Sequence, residues 1–189
     1  MAKHITLGDL DHFLDGGNMA GIRPRLIYGY HEDVAVWPTE PDGSVTPLAL
    51  DAAGELTGDV VMKPGTRAFV LDFTEDVGNF GIAVVGETDG LHAEHTLNIT
   101  KAKIKSKILG FMNAAMDRKL FFIVEDENEN TYLMGNKKRG STFVPSDGAT
   151  TGSGSGDRNQ TVLQFKFRTR KALIYTGDME DLLTEVPIS

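Results

Sequence analysis

The 189-residue chain contains no cysteine. That excludes disulfides, thiolate zinc sites and cysteine nucleophiles, and it suits folding in a reducing cytoplasm. Tryptophan occurs once, at Trp37, and aromatic residues make up 8% of the chain, too few for a sugar-binding aromatic platform. No window approaches the roughly 18 apolar residues that a membrane span requires. The opening stretch Met1–Asp9 lacks the apolar run of a signal peptide, so the expectation is a soluble chain without a membrane anchor. Basic charge is scarce as well. There are 19 Lys and Arg against 27 Asp and Glu, a formal net charge of −8. This argues against generic nucleic-acid binding, where a basic face supplies the affinity.

Catalytic and cofactor signatures are missing too. Gly152-Ser-Gly-Ser-Gly-Asp157 has neither the lysine nor the following helix of a phosphate loop. His92-Ala-Glu-His95 places its histidines three apart on an expected strand, so their side chains leave on opposite faces. His92 should face solvent and His95 should be packed. No Gly-x-Ser-x-Gly elbow occurs, and the acidic run Glu125–Asn130 lacks the spacing and central glycine of a calcium loop. The residues therefore indicate no enzyme, no cofactor and no metal.

What is present is an ordinary globular composition, 40% apolar and 24% charged. One domain with terminal arms is expected, at about 100–200 residues per domain. Charge is divided unevenly. Residues 1–95 carry 5 Lys and Arg against 16 Asp and Glu, whereas residues 96–189 carry 14 against 11. Either solvated faces simply differ, or one chain carries complementary surfaces that orient it against its own copies.

Residues 1–25, with a short helix over Leu7–Leu14, read as an N-terminal arm. Strands are expected at Arg25–Tyr30, Asp33–Trp37, Thr66–Asp72 and Phe80–Val85. Between them, Pro38–Gly65 is polar and rich in turn residues. Leu91–Thr100 alternates, with Leu91, Ala93, His95, Leu97 and Ile99 on a buried face. Apolar spacing from Ile104 through Ile108, Phe111, Met112, Ala115 and Met116 predicts a helix over about 102–117. Lys101, Lys103, Lys105 and Lys107 load its first turns against the helix dipole, at about a few tenths of a kcal/mol each. Helix stability alone does not call for them, and an acidic surface on a neighbour would. Leu120–Val124 is apolar on both faces and should be covered on both. Glu125–Asn130 then turns the chain into Thr131–Met134. Gly140–Gly156 reads as a mobile loop, Thr161–Arg168 as an alternating strand, Ala172–Tyr175 as a short strand and 177–189 as a C-terminal arm.

The stretch Leu91–Tyr175 resembles tail tube proteins of tailed bacteriophages, of the kind carried by phages and prophages of Bacteroidota-type hosts. The resemblance is carried by four stretches: His95-Thr-Leu-Asn-Ile-Thr100, Met112-Asn-Ala-Ala-Met-Asp-Arg-Lys119, the hairpin Phe121–Gly135, and Thr150–Asn159 with the strand Gln160–Phe167. It covers under half of the chain. It implies a mainly β sandwich or barrel over 26–176 with one flanking helix. It further implies a virion structural protein, six copies to a ring, assembled in the host cytoplasm and stacking into a tail tube. DNA would pass through the lumen without sequence-specific binding, and tape measure and neck proteins would be partners. A tail terminator, a head–tail connector, or a capsid or tail decoration module is the alternative. Subunit-interface candidates on this reading are Lys101, Lys103, Lys105, Lys107, Lys137, Lys138, Arg139, Thr150, Thr151, Gly152, Gly154, Gly156, Asp157 and Arg158. Asp or Glu on the wet faces of inner strands would line the lumen.

Overall fold

A computed structural model describes residues 5–10, 18–44, 46–154 and 156–187. In chain order the strands are β1 (Arg25–Tyr30), β2 (Val34–Val36), β3 (Glu55–Leu56), β4 (Val61–Met62), β5 (Phe69–Asp72), β6 (Asn79–Val85) and β7 (His92–Ala102). They continue with β8 (Leu120–Glu125), β9 (Thr131–Asn136), β10 (Arg139–Gly140), β11 (Thr142–Thr150), β12 (Gln160–Thr169) and β13 (Ile174–Tyr175). Two α-helices interrupt them, the single turn α1 (Leu50–Ala53) and α2 (Ser106–Asp117).

The protein is mainly β, built on two antiparallel sheets. One has five strands in the order β10-β9-β8-β1-β5, the other four in the order β11-β12-β7-β6. β7 and β12 form the long ladder of the second sheet, paired from Ala93↔Thr169 to Ala102↔Gln160. Their strict alternation points Leu97, Ile99, Leu163 and Phe165 inward, all 0% exposed. These meet Leu26, Leu120, Phe122, Val124 and Met134 of the five-stranded sheet in one shared core. Each large side chain buried there contributes about 1.5–3 kcal/mol. Both sheets remain open among the described residues, so no barrel closes within one chain.

The two-faced apolar pattern of β8 has a direct cause. Leu120, Phe122 and Val124 enter the core between the sheets, while Phe121 and Ile123 point to a second core on the far side. The turn-rich stretch after Pro38 covers that far side, through Leu56, Val60 and Met62. The C-terminal residues complete the cover. Leu173, Tyr175 and Leu182 are buried there, the Ala68 N–H donates to Leu182 O at 2.8 Å, and the Gly65 N–H donates to Val186 O at 2.7 Å. Residues 177–187, expected as an arm, are thus part of the body.

Four further expectations need correction. The helix starts at Ser106, later than about 102, because the β12 ladder holds the chain extended through Ala102 and Lys103 takes a left-handed turn (φ 68°). Hydrogen bonds from the Lys103 and Ile104 N–H groups to Asn159 fix that turn, both at 2.8 Å. Ile104 therefore precedes the helix, and Met116 is 63% exposed. The segment Gly140–Gly156 is largely strand β11, paired to β12 on both sides of an irregularity between Val144 and Gly148. Pro145 sits in that bulge on an edge strand, where its missing N–H costs no ladder bond. Residues 5–10 form no helix, and the rest of the expected helix to Leu14 lies outside the described residues. The strands near Asp33 and Thr66 are shorter than expected: a 3-10 turn spans His31–Asp33, and the Thr66 N–H bonds back to Lys63 O.

Candidate functional site

The fourteen candidate residues divide between the two ends of the sandwich, apart from Lys107 on α2. β12 runs about 30 Å from Gln160 to Thr169 at the usual rise per residue, and each end of it meets one group. At the Gln160 end, Lys101 lies opposite Thr161 and donates its ammonium to the Asp72 carbonyl. Lys103 occupies the left-handed link, Lys105 caps α2, and Lys107 alone stands in the first helical turn. The dipole conflict read from the sequence is therefore confined to Lys105 and Lys107.

The Thr150–Asn159 connection shares this end. Its Asp157 carboxylate accepts the N–H groups of Ser153 and Gly154 at 2.7 and 2.8 Å, together with the Ser153 hydroxyl at 3.1 Å. Those bonds hold the Asp157 carboxyl below its ordinary pKa. Gly152 has φ 74°, and a Cβ there would lie 2.5 Å from that of Asp157, so glycine is required. The stretch is a turn built around one carboxylate. Thr150, Thr151, Gly154, Gly156 and Arg158 are exposed on it.

At the Thr169 end, Lys137 and Lys138 form the β9–β10 turn and Arg139 opens β10, with Asn136 Oδ1 accepting the N–H groups of both Lys138 and Arg139 at 3.0 Å. Sheet packing brings Lys119, Lys166, Arg168 and Arg170 to the same place. Two clefts of about 610 and 540 Å³ adjoin through Lys138, Arg139 and Arg168, which line both. Their lining holds one carboxylate, Glu40, and no Phe, Tyr or Trp. Glu94, 8% exposed beneath them, bonds Lys166 at 2.6 Å and Arg168 at 2.8 Å. Hydrogen bonds from those two cations hold the Glu94 carboxyl below its ordinary pKa. Sequence reasoning found only the contiguous half of this basic site, because the other cations converge through long-range strand pairing.

Among the described residues, the four-stranded sheet has free edges at β6 and β11. β6, Asn-Phe-Gly-Ile-Ala-Val-Val, carries neither charge nor proline, the usual guards of an edge. Ile82 and Val84 share the inward face through pairing with His95 and Ala93, yet they remain 37% and 71% exposed. The opposite, wet face of the sheet is polar, with its charge gathered at the Thr169 end in Glu94, Lys166 and Arg168. Thr96, Asn98, Thr100 and Gln164 lie along it, and Gln164 donates to Asn98 at 2.7 Å. Glu94 is the only carboxylate on that face at the paired positions, so the expected row of Asp and Glu is absent there.

His95 is packed as the alternation required, and His92 is half-buried with Nδ1 3.1 Å from Gly90 O. Among the described residues, no three His, Asp or Glu side chains converge to hold a metal ion, and no helix is long and apolar enough to cross a membrane. Comparison with protein-family models, with curated proteins and with solved structures gave no match to this chain.

Proposed function

We propose that the protein is a non-enzymatic structural subunit that joins copies of itself, edge to edge, into a ring that stacks as a tube. This is the role the resemblance to phage tail tube proteins implies. The observation that carries the reading is β6, an uncharged edge strand whose inward side chains Ile82 and Val84 lack cover. Four antiparallel strands leave the outer two, β6 and β11, running in opposite directions. Setting β6 of one copy against β11 of the next therefore continues an antiparallel sheet without a break. Ring closure would satisfy both edges, which a lone chain leaves open.

The wet face of that sheet suits a passage for DNA. Amides and hydroxyls keep its middle hydrated, and Glu94, paired with both Lys166 and Arg168, offsets one of the two positive charges at the Thr169 end. Phosphates would find little to bind along its uncharged stretch from Thr96 to Thr100. The place of action on this reading is the virion tail, with tape measure and neck proteins as neighbours.

Negative-stain electron microscopy with light scattering at rising concentration tests the reading, using the wild type and Val84→Lys. Tubes with an open lumen are expected from the wild type. Val84→Lys should stay monomeric with an unchanged circular dichroism spectrum, since Val84 is already exposed. Discrete rings that never stack would move the assignment to a terminator or connector. A wild type that stays monomeric throughout would overturn self-assembly.

A further inference from the structure

We propose that the basic cleft at the Lys137–Arg139 end receives the acidic turn Glu125–Glu129 of the next copy, so that subunits stack head to tail. The inference rests on the assembly reading above and names the axial contact within it. β8 and β9 run antiparallel, with Leu120 and Asn136 at the basic end and Glu125 and Thr131 at the other. The turn between them therefore projects from the opposite end of the same sheet, about 20 Å away along the strands. A bridge between Ile22 and Asp126 and the pairing of Arg25 with Asp72 bring the β5–β6 turn to that end too, which adds Asp72, Glu75 and Asp76, with Lys101 reaching the Asp72 carbonyl beside them.

Both halves of the contact are built in advance. In the turn, the Asp126 carboxylate accepts the N–H groups of Asn128 and Asn130, both at 2.8 Å, and the Tyr132 hydroxyl at 3.1 Å. Arg23 clamps Glu125 at 2.6 Å and approaches Glu129 at 3.7 Å. Asn128 Nδ2 donates to Met19 O at 2.9 Å. A turn fixed in this way loses little conformational freedom on docking. The receiving cleft is likewise shaped by two strand ends and the two-residue turn Lys137-Lys138.

Charge selects the occupant. Lys119, Lys137, Lys138, Arg139, Lys166 and Arg168 face a cleft whose carboxylates are Glu40 and the already paired Glu94. Single-stranded nucleic acid is the other polyanion of this size, but its sites add aromatic platforms for the bases, and none lines these clefts. An acidic turn at one end and a basic cleft at the other make a heterologous contact, the kind that propagates without closing. Such pairs also orient the approaching copy before contact.

The test compares tube length and the critical concentration for stacking among four proteins at low and high salt. They are the wild type, Glu127→Lys with Glu129→Lys, Lys137→Glu with Lys138→Glu, and all four changes together. All four positions lie on turn surfaces, and circular dichroism verifies the fold of each variant. Either pair alone should leave rings intact, shorten or abolish tubes, and raise the critical concentration by about tenfold or more. The combined swap should restore stacking. Tubes indifferent to either pair, with rings intact, would overturn the axial contact while sparing the ring. Binding of a short oligonucleotide that is lost with Lys137→Glu and Lys138→Glu while tubes persist would overturn it in favour of a nucleic-acid cleft. Absence of rings from every protein would remove the assembly reading and this contact with it.

Discussion

Phe122 of β8 and Phe165 of β12 meet across the two sheets with ring centroids 4.5 Å apart. Both are 0% exposed. Phe165 also meets Phe111 of α2 at 6.1 Å and Phe143 of β11 at 5.2 Å. One ring thus ties the helix and both sheets to a single core. Phe165→Ala should cost about 3–5 kcal/mol, the range for emptying an aromatic core site. Urea denaturation measures it, and a loss below about 1 kcal/mol would contradict this central place.

The elements legible in the sequence are those in which one local pattern decides the outcome. β7 and β12 alternate without a break because one face packs and the other meets water. β8 reads as doubly covered because every side chain from Leu120 to Val124 is apolar. β11 was hidden because Pro145, Asp147 and Gly148 interrupt its alternation at the bulge. The start of α2 was misplaced because Lys101–Ile104 fits a helical period, whereas the pairing with β12 is a long-range contact that no local window contains. The basic cleft was half legible for the same reason. Lys137, Lys138 and Arg139 are neighbours in sequence, but Lys119 and Lys166 reach them only through the sheets.

The C-terminal segment shows how acidic composition can mask a docked element. Asp178, Glu180, Asp181 and Glu185 flank Leu182 in the sequence, yet Leu182 is 2% exposed in the second core. Leu182→Ala should therefore cost about 2–3 kcal/mol. An arm free of the body would lose no more than about 0.5 kcal/mol. Thermal unfolding of the variant separates the two outcomes.

Asp126 organises the acidic turn. Burial pushes its carboxyl up, but hydrogen bonds from the side chain and N–H of Asn130, from Tyr132 and from the Asn128 N–H outweigh that and hold its pKa below the ordinary value. Ionised Asp126 stabilises the fold above the unfolded carboxylate pKa, and that contribution is lost as pH falls through the depressed folded value. Asp126→Ala should cost about 1–3 kcal/mol at neutral pH, since it strands several donors at once. Amide exchange at Asn128 and Asn130 should accelerate with it. Unchanged exchange at both would show that Arg23 and the contacts of the turn with residues 19–22 hold it without Asp126.

His95 carries the opposite sign of pH dependence from a paired histidine. Its ring lies between Phe80 and Phe167, with centroids 5.5 and 5.6 Å away, and neither ring nitrogen has a hydrogen-bond partner among the described residues. Burial pushes its pKa down to about 4. The unfolded chain returns it to about 6.5. Between those values the unfolded state binds a proton that the folded state refuses, so stability falls as pH falls and is unaffected above the unfolded value. From pH 7 to pH 5 the loss should be about 2 kcal/mol. His95→Leu keeps an apolar side chain in the site and removes the proton, so its stability should decline less over the same interval. Urea midpoints for both proteins at the two pH values make the comparison. Equal declines would mean that the imidazole is hydrated or paired in solution, because only a dry, unpartnered ring resists protonation this strongly.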